Sequence, residues 1–416
     1  MLAQLIQAFY NIVDSFFVGR YSADALTALS VIYPIQLIII ALAVGTGVGV
    51  NTYMARKYAE NDTKAAEAAA GTGMVLAVIT WLILAVVTTL IMRPYVMTSA
   101  SSENAISDAI IYGRIVCIGS IGAFLEGNWT KVHQSMGNMR LPMIAQIVGA
   151  VTNIVLDPLL IFGWGFFPKL GVAGAAIATV CGQCVAAVIT GVKGFYLPPK
   201  LHKMRHYVNR IYRYGYPSIV MQALYTVYIV ALNVILAGFS DSAVTVLGLY
   251  YKLQTFFFIP LMGLETCIVP LLSYNYAAGA YGRCKETMRD TFSLSAGFML
   301  AGVVAFVCFQ QPLIRIFSDT AEVLAIGRIA FPVIGASFVS AAFSLMTPVF
   351  FQAVGYGKVS MGLSLLRQIF CLIPFFWLFS KIGLSYTWCA FPVSEIISGV
   401  IGLILYRRVI HSWKMQ

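Results

Sequence analysis

Twelve apolar runs, each near the roughly 20 residues a helix needs to cross the hydrocarbon core of a bilayer, leave this chain few folds to choose from. They fall at 1–19, 25–55, 67–93, 107–136, 141–163 and 171–196, then at 211–238, 244–273, 287–309, 325–354, 359–380 and 384–407. None alternates with the period of two that a transmembrane strand shows. Of 416 residues, 60% are hydrophobic and 10% charged, against about 25% charged in soluble domains. A soluble globule is excluded, and the expectation is an all-α polytopic membrane protein of about twelve transmembrane helices.

Basic residues collect at alternate connections. One side holds Arg56, Lys57 and Lys64, then Lys131 and Arg140, then the group from Lys193 to Arg213, and later Arg283, Lys285, Arg289, Lys358, Arg407, Arg408 and Lys414. The other holds Arg20, Arg93, Lys169, Arg315 and Lys381, with Arg114 and Arg328 just inside helix starts. By the positive-inside rule the rich side is cytoplasmic. The chain is therefore expected to be multi-pass in the cell (inner) membrane with both termini cytoplasmic. The net charge of +11 follows from this bias and calls for no nucleic-acid partner.

The longest polar break, LPPKLHKMRHYVNR at 197–210, divides the chain. A six-helix lobe is expected at 1–196, a cytoplasmic linker at 197–210 and a second six-helix lobe at 211–416. A shift of 218 residues brings Gln4, Tyr10, Tyr33, Gln36, Pro94 and Gln134 onto Gln222, Tyr228, Tyr251, Gln254, Pro312 and Gln352. Six helices per repeat is an even number, so both lobes enter the membrane with the same polarity.

Nothing supports an enzyme. Cys181 and Cys184 have a metal-like spacing, but no His lies near them, and small-residue packing explains the pair better. His133, His202, His206 and His411 form no ligand spacing, and no HExxH, GxSxG or phosphate loop occurs. No cofactor is expected.

Acids within the apolar runs carry more meaning, because a carboxylate at a helix centre costs about 2.5–3.5 kcal/mol on insertion scales. They are Asp14, Glu126, Asp157, Glu265 and Glu395. For Glu126, Glu265 and Glu395, neutralisation near a helix end competes with a functional role. Asp157 has Asn153 four residues earlier, on the same helical face, and Pro158 after it removes a backbone donor. Under the 218-residue shift Asp14, Asn153 and Asp157 meet Leu232, Cys371 and Phe375, so the polar cluster belongs to one lobe. Such asymmetry suits a cation-coupled transporter. Two close acids suit a proton, and with the Asn153 amide they equally suit Na⁺.

These residues carry a resemblance to the multidrug and toxic compound extrusion (MATE) family. YNIVDSFFVG at 10–19 resembles its first-helix motif, and GTGVGVNTYMARKYAENDTKAAEAA at 45–69 its second-helix end and following loop. QSMGNMRLPM at 134–143, NIVLDPLLIFG at 153–163 and GVAGAAIATVCGQ at 171–183 resemble its fourth-to-sixth-helix signature. The resemblance implies a two-lobed, twelve-helix antiporter that exports amphipathic, mostly cationic organic compounds in exchange for H⁺ or Na⁺. It implies cation coupling at Asp14, Asn153 and Asp157, including Na⁺ held by these three, with Asn128 and Thr179 matching further coupling positions. Second-lobe cation sites of the family use acids on the seventh and tenth helices, and 211–238 and 325–354 contain none. The family's first helix normally begins further upstream, so a shortened start is expected here.

The substrate wall is expected to include Tyr33, Gln36, Met221, Gln222, Tyr225, Tyr228, Tyr251, Gln254 and Glu265, with packing as the competing role for each aromatic and Met. Partners are small organic cations and membrane lipid, and the expected state is a monomer. A lipid-linked saccharide flippase of the same two-lobed fold is the alternative. It would place several basic residues in its cavity, whereas Lys252 and Arg367 are the main candidates here. A membrane-embedded enzyme ranks third.

Overall fold

The computed structural model describes residues 2–99, 103–165, 167–315 and 321–413. Its elements are helical throughout the described residues. The first half comprises α1 (Leu2–Tyr21), α2 (Ala23–Ala59), α3 (Thr63–Ser99), α4 (Glu103–Gly119), α5 (Ile121–Ser135), α6 (Arg140–Phe162) and α7 (Val172–Gly191). The long α8 (Leu201–Ala237) leads into α9 (Asp241–Ala277), α10 (Tyr281–Cys308), the short α11 (Gln310–Arg315), α12 (Ala321–Gly335) and α13 (Phe338–Ala353). Then α14 (Gly357–Leu365) runs through a π-helical segment (Leu366–Leu372) into α15 (Ile373–Ser380), and α16 (Leu384–Thr387) precedes α17 (Ala390–Ser412).

Among the described residues ten helices are long and apolar enough to span a membrane, and α12 with α13, bent by 52°, makes an eleventh. With the 20-residue α1 ahead of them, these account for the twelve apolar runs of the sequence. Serine hydroxyls mark two breaks within spans. Ser120 Oγ donates to the Cys117 carbonyl at 2.8 Å between α4 and α5, and Ser337 Oγ donates to the Ile334 carbonyl at 2.6 Å between α12 and α13. A hydroxyl that occupies a carbonyl in this way competes with the next backbone donor and lets the helix turn.

The repeat is visible in the helix ends. α2 and α9 both begin and end 218 residues apart, and α3 and α10 begin 218 residues apart. Cα positions group into two units, Leu2–Ile219 and Val220–Gln416, with the division inside α8. Residues 201–210, read from sequence as part of a connection, are the opening turns of that helix, and its residues up to Ile219 group with the first unit.

Within the first unit, Gly45 and Gly49 lie one turn apart on α2, where the backbones of α2 and α8 nearly touch. A Cβ on Gly49 would sit 2.2 Å from the Ile211 carbonyl oxygen, and one on Gly215 would sit 2.6 Å from the Gly45 carbonyl oxygen. Membrane helices gain no hydrophobic drive from pairing, so close backbone contact through small residues supplies dispersion instead. Beside this seam Val50, Met54, Val132 and Ile211 pack together, and Ile32, Met92, Tyr112, Val116 and Phe124 belong to a second core cluster.

The second unit is held by aromatic packing. The Phe306 ring lies 5.1 Å from Phe331 and 4.9 Å from Phe338, and Tyr250 lies 5.3 Å from Phe391 of α17. Each such pair contributes about 0.5–1.5 kcal/mol beyond area burial.

Candidate functional site

The first unit contains a buried string of polar side chains drawn from five helices. Asp14 on α1 is 8% exposed, while Asn153 and Asp157 on α6 are 2% and 0% exposed. Four-residue spacing stacks the last two on one face, and Asn153 Nδ2 donates to Asp157 Oδ1 at 3.4 Å. The same amide nitrogen donates to Thr179 Oγ1 of α7 at 3.4 Å. The Tyr112 hydroxyl on α4 neighbours Thr179 and accepts from Gln36 Nε2 of α2 at 3.3 Å. At the other end, the Asp14 and Asp157 carboxyls are neighbours.

α6 continues unbroken through Pro158. Proline has no N–H to give the carbonyl four residues back, so the Ile154 carbonyl loses its helical donor one turn before the carboxylate. The helix ends at Gly163, which takes a left-handed φ of 74° that glycine adopts without steric cost.

The electrostatics of this cluster are one-sided. No Lys, Arg or His pairs with Asp14 or Asp157 among the described residues. Asp14 Oδ1, Asn153 Oδ1 and Asp157 Oδ2 are buried and receive no hydrogen bond. An ionised carboxylate only accepts, so two of them in contact have no donor to share until a proton or a cation arrives. Leaving both ionised and unpaired in a low-dielectric interior is costly. Two carboxylate oxygens and one amide oxygen form a hard-oxygen set that fits H⁺ or Na⁺.

Tyr112 was not identified from the sequence. Its only signal is that a phenol inside an apolar run needs a partner once buried, and nothing in the run IIYGRIV names that partner. Tyr112→Phe removes the hydroxyl that accepts from Gln36. The expected cost is about 1–2 kcal/mol, the penalty for stranding part-buried polar groups, read as lower thermal stability of the purified protein. A variant as stable as the parent would show that this link carries no stabilisation.

The other residues singled out from sequence are dispersed. Asn128 is buried, but neither its Nδ2 nor its Oδ1 meets a partner; it lines a small recess with Thr46, Gly73 and Thr80 and does not join the string. Gln36, expected at the substrate wall, donates to Tyr112 at the end of the polar string, and Tyr33 is 56% exposed. In the second unit Tyr225, Tyr228 and Tyr251 form a ladder, with ring centroids 5.4 and 6.3 Å apart. Met221, Gln254 and Glu265 are half-buried and Gln222 is exposed. Glu126 accepts from Thr130 Oγ1 at 2.7 Å. Glu395 is neutralised by Arg367 at 2.9 Å and bonded by Ser344.

Comparison with known proteins agrees with this architecture. The MatE family model matches residues 1–159 and 217–378. A protein of Shewanella oneidensis named FAD transporter is 25% identical, covering 96% of this chain and 90% of its own length. The multidrug export protein MepA of Staphylococcus saprophyticus is 23% identical over 97% of this chain and 90% of its own. Among solved structures, a MATE transporter of Vibrio cholerae superposes with a TM-score of 0.93 at 21% identity, covering all of this chain and 96% of that one.

Proposed function

Because the chain belongs to the MATE family of membrane transporters, we propose that it is a cation-coupled antiporter exporting amphipathic organic compounds, lipophilic cations foremost among them. The observation that carries the reading is the Asp14–Asn153–Asp157 cluster, with its three buried oxygens lacking donors. H⁺ or Na⁺ entering from outside occupies these oxygens, and its loss to the cytoplasm resets the cycle. Coupling requires the ion to prefer one access state over the other, since equal affinity for both shifts nothing. A full swing from 1:99 to 99:1 takes a differential of about 5.5 kcal/mol. Alternating access then follows, in the cell membrane with both termini cytoplasmic as the basic-residue bias suggests.

A second reading has an observation of its own. The Shewanella relative that aligns over 96% of this chain is named for FAD, so a flavin dinucleotide is a candidate substrate for the same cycle.

The test is efflux of ethidium from liposomes containing the purified protein, under an imposed pH gradient, an imposed Na⁺ gradient, or neither. Efflux that rises with one gradient is expected, and the effective gradient identifies the ion. Gradient-independent behaviour of intact protein toward both ethidium and FAD would remove the antiporter reading and favour the lipid-linked saccharide flippase.

A further inference from the structure

The second unit has a buried polar cluster of its own, at positions unrelated to the first. Arg367 and Glu395 stand where the 218-residue shift brings Gly149 and Ile177, so the repeat does not require them. Arg367 Nη1 donates to Glu395 Oε1 at 2.9 Å, the other carboxylate oxygen accepts from Ser344 Oγ, and the two side chains keep 16% and 11% exposure. The pairing uses one nitrogen of a guanidinium that has five N–H donors. Arginine and carboxylate frequently pair through two parallel bonds; here Glu395 is shared with Ser344 and the rest of the fork makes no hydrogen bond to the protein among the described residues. Arg367 sits on the π-helical segment Leu366–Leu372, and such segments occur often at functional sites. Its own carbonyl is held by Ser394 Oγ at 2.7 Å, which ties the segment to α17.

Aromatic rings pack on α17 one turn from Glu395: Tyr250 lies 5.3 Å from Phe391 and 5.1 Å from Tyr251. Tyr225 packs edge-on against Tyr228 at 5.4 Å and is 38% exposed, so the ladder reaches the surface of the unit.

We propose that Arg367 and the Tyr225–Tyr228–Tyr251 ladder form a binding site for planar aromatic anions, the free guanidinium edge taking a phosphate and the tyrosines taking the ring. Arginine matches phosphate through two parallel N–H bonds, and exposed aromatic faces accept a flat ligand with little specificity for its substituents. Glu395 is then a competitor for the same guanidinium, displaced when the anion enters, while Ser344 continues to hold the carboxylate. The site goes beyond the exporter reading, adding planar aromatic anions to the lipophilic cations named there, and rests on it only for the direction of transport.

The experiment is equilibrium fluorescence anisotropy with the full chain in nanodiscs, without any gradient, using 1,N6-ethenoadenosine monophosphate and the uncharged 1,N6-ethenoadenosine. The nucleotide is expected to bind at least about tenfold tighter than the nucleoside, the scale of a charge-assisted pair. Arg367→Gln should erase that difference. Glu395→Gln should tighten the nucleotide severalfold and leave the nucleoside unchanged, a response that loss of a merely structural ion pair would not give. Equal affinities in the unaltered protein, or weaker nucleotide binding in Glu395→Gln, would overturn the site. If anion binding holds while no compound shows gradient-driven efflux, the antiporter reading fails and the site stands. If efflux is gradient-driven while both probes bind alike, the site fails alone.

Discussion

Asp157→Asn is expected to reduce gradient-driven efflux to the rate measured without a gradient, while the protein remains folded. The side chain is fully buried, accepts from Asn153 and faces Asp14. Replacing the carboxylate with an isosteric amide keeps volume and supplies the donors that the neighbouring oxygens lack. The packing cost is therefore small, and the fixed hydrogen bonds remove the vacancy an incoming ion must fill. Without an ion that distinguishes the access states, a gradient has nothing to act on. Asp14→Asn should behave alike, because a cluster with one acid already neutral no longer needs a proton or Na⁺ to relieve two adjacent charges. Full gradient-driven efflux in both variants would move the coupling site elsewhere; loss in Asp157→Asn alone would assign the ion to α6.

Gly182→Leu is expected to destabilise the first unit by about 3 kcal/mol, the upper end of ordinary overpacking, with a corresponding fall in thermal midpoint. Even a Cβ at this position would meet the Gly149 carbonyl oxygen at 2.6 Å and Asn153 Cβ at 3.3 Å. The obstructing oxygen belongs to backbone and cannot swing aside, so α6 and α7 must separate. Separation would also withdraw Thr179 from Asn153, already at the long distance of 3.4 Å, and efflux should fall with stability. Gly182→Ala should show the same change at smaller size. A Gly182→Leu protein with unchanged midpoint would show that the α6–α7 seam has slack.

Both effects depend on arrangements the sequence reveals unequally. The membrane spans, the repeat and its register were legible, because apolar length and the 218-residue spacing are properties of the chain itself: α2 and α9 keep that spacing at both ends. Asn153 and Asp157 were legible as a pair because four residues make one helical turn. Asp14 was grouped with them because the repeat leaves all three unmatched in the second lobe and because the family resemblance joins them; their proximity was not derivable from spacing, since α1 and α6 are distant in sequence. Tyr112 and Gln36 joined the string only in the folded unit, where α2, α4 and α7 bring a phenol, an amide and a hydroxyl together.

The pairing of Arg367 with Glu395 belongs to the same class. Sequence marked one as a basic candidate and the other as an acid of uncertain role, 28 residues apart. Local patterning therefore determined that this chain spans a membrane as two related six-helix lobes, since hydrophobic length and helical period act over neighbouring residues. Which buried charges find a partner was decided by tertiary structure alone. Side-chain hydrogen bonds act over about 3 Å, and only the packing of distant helices brings such groups within that reach.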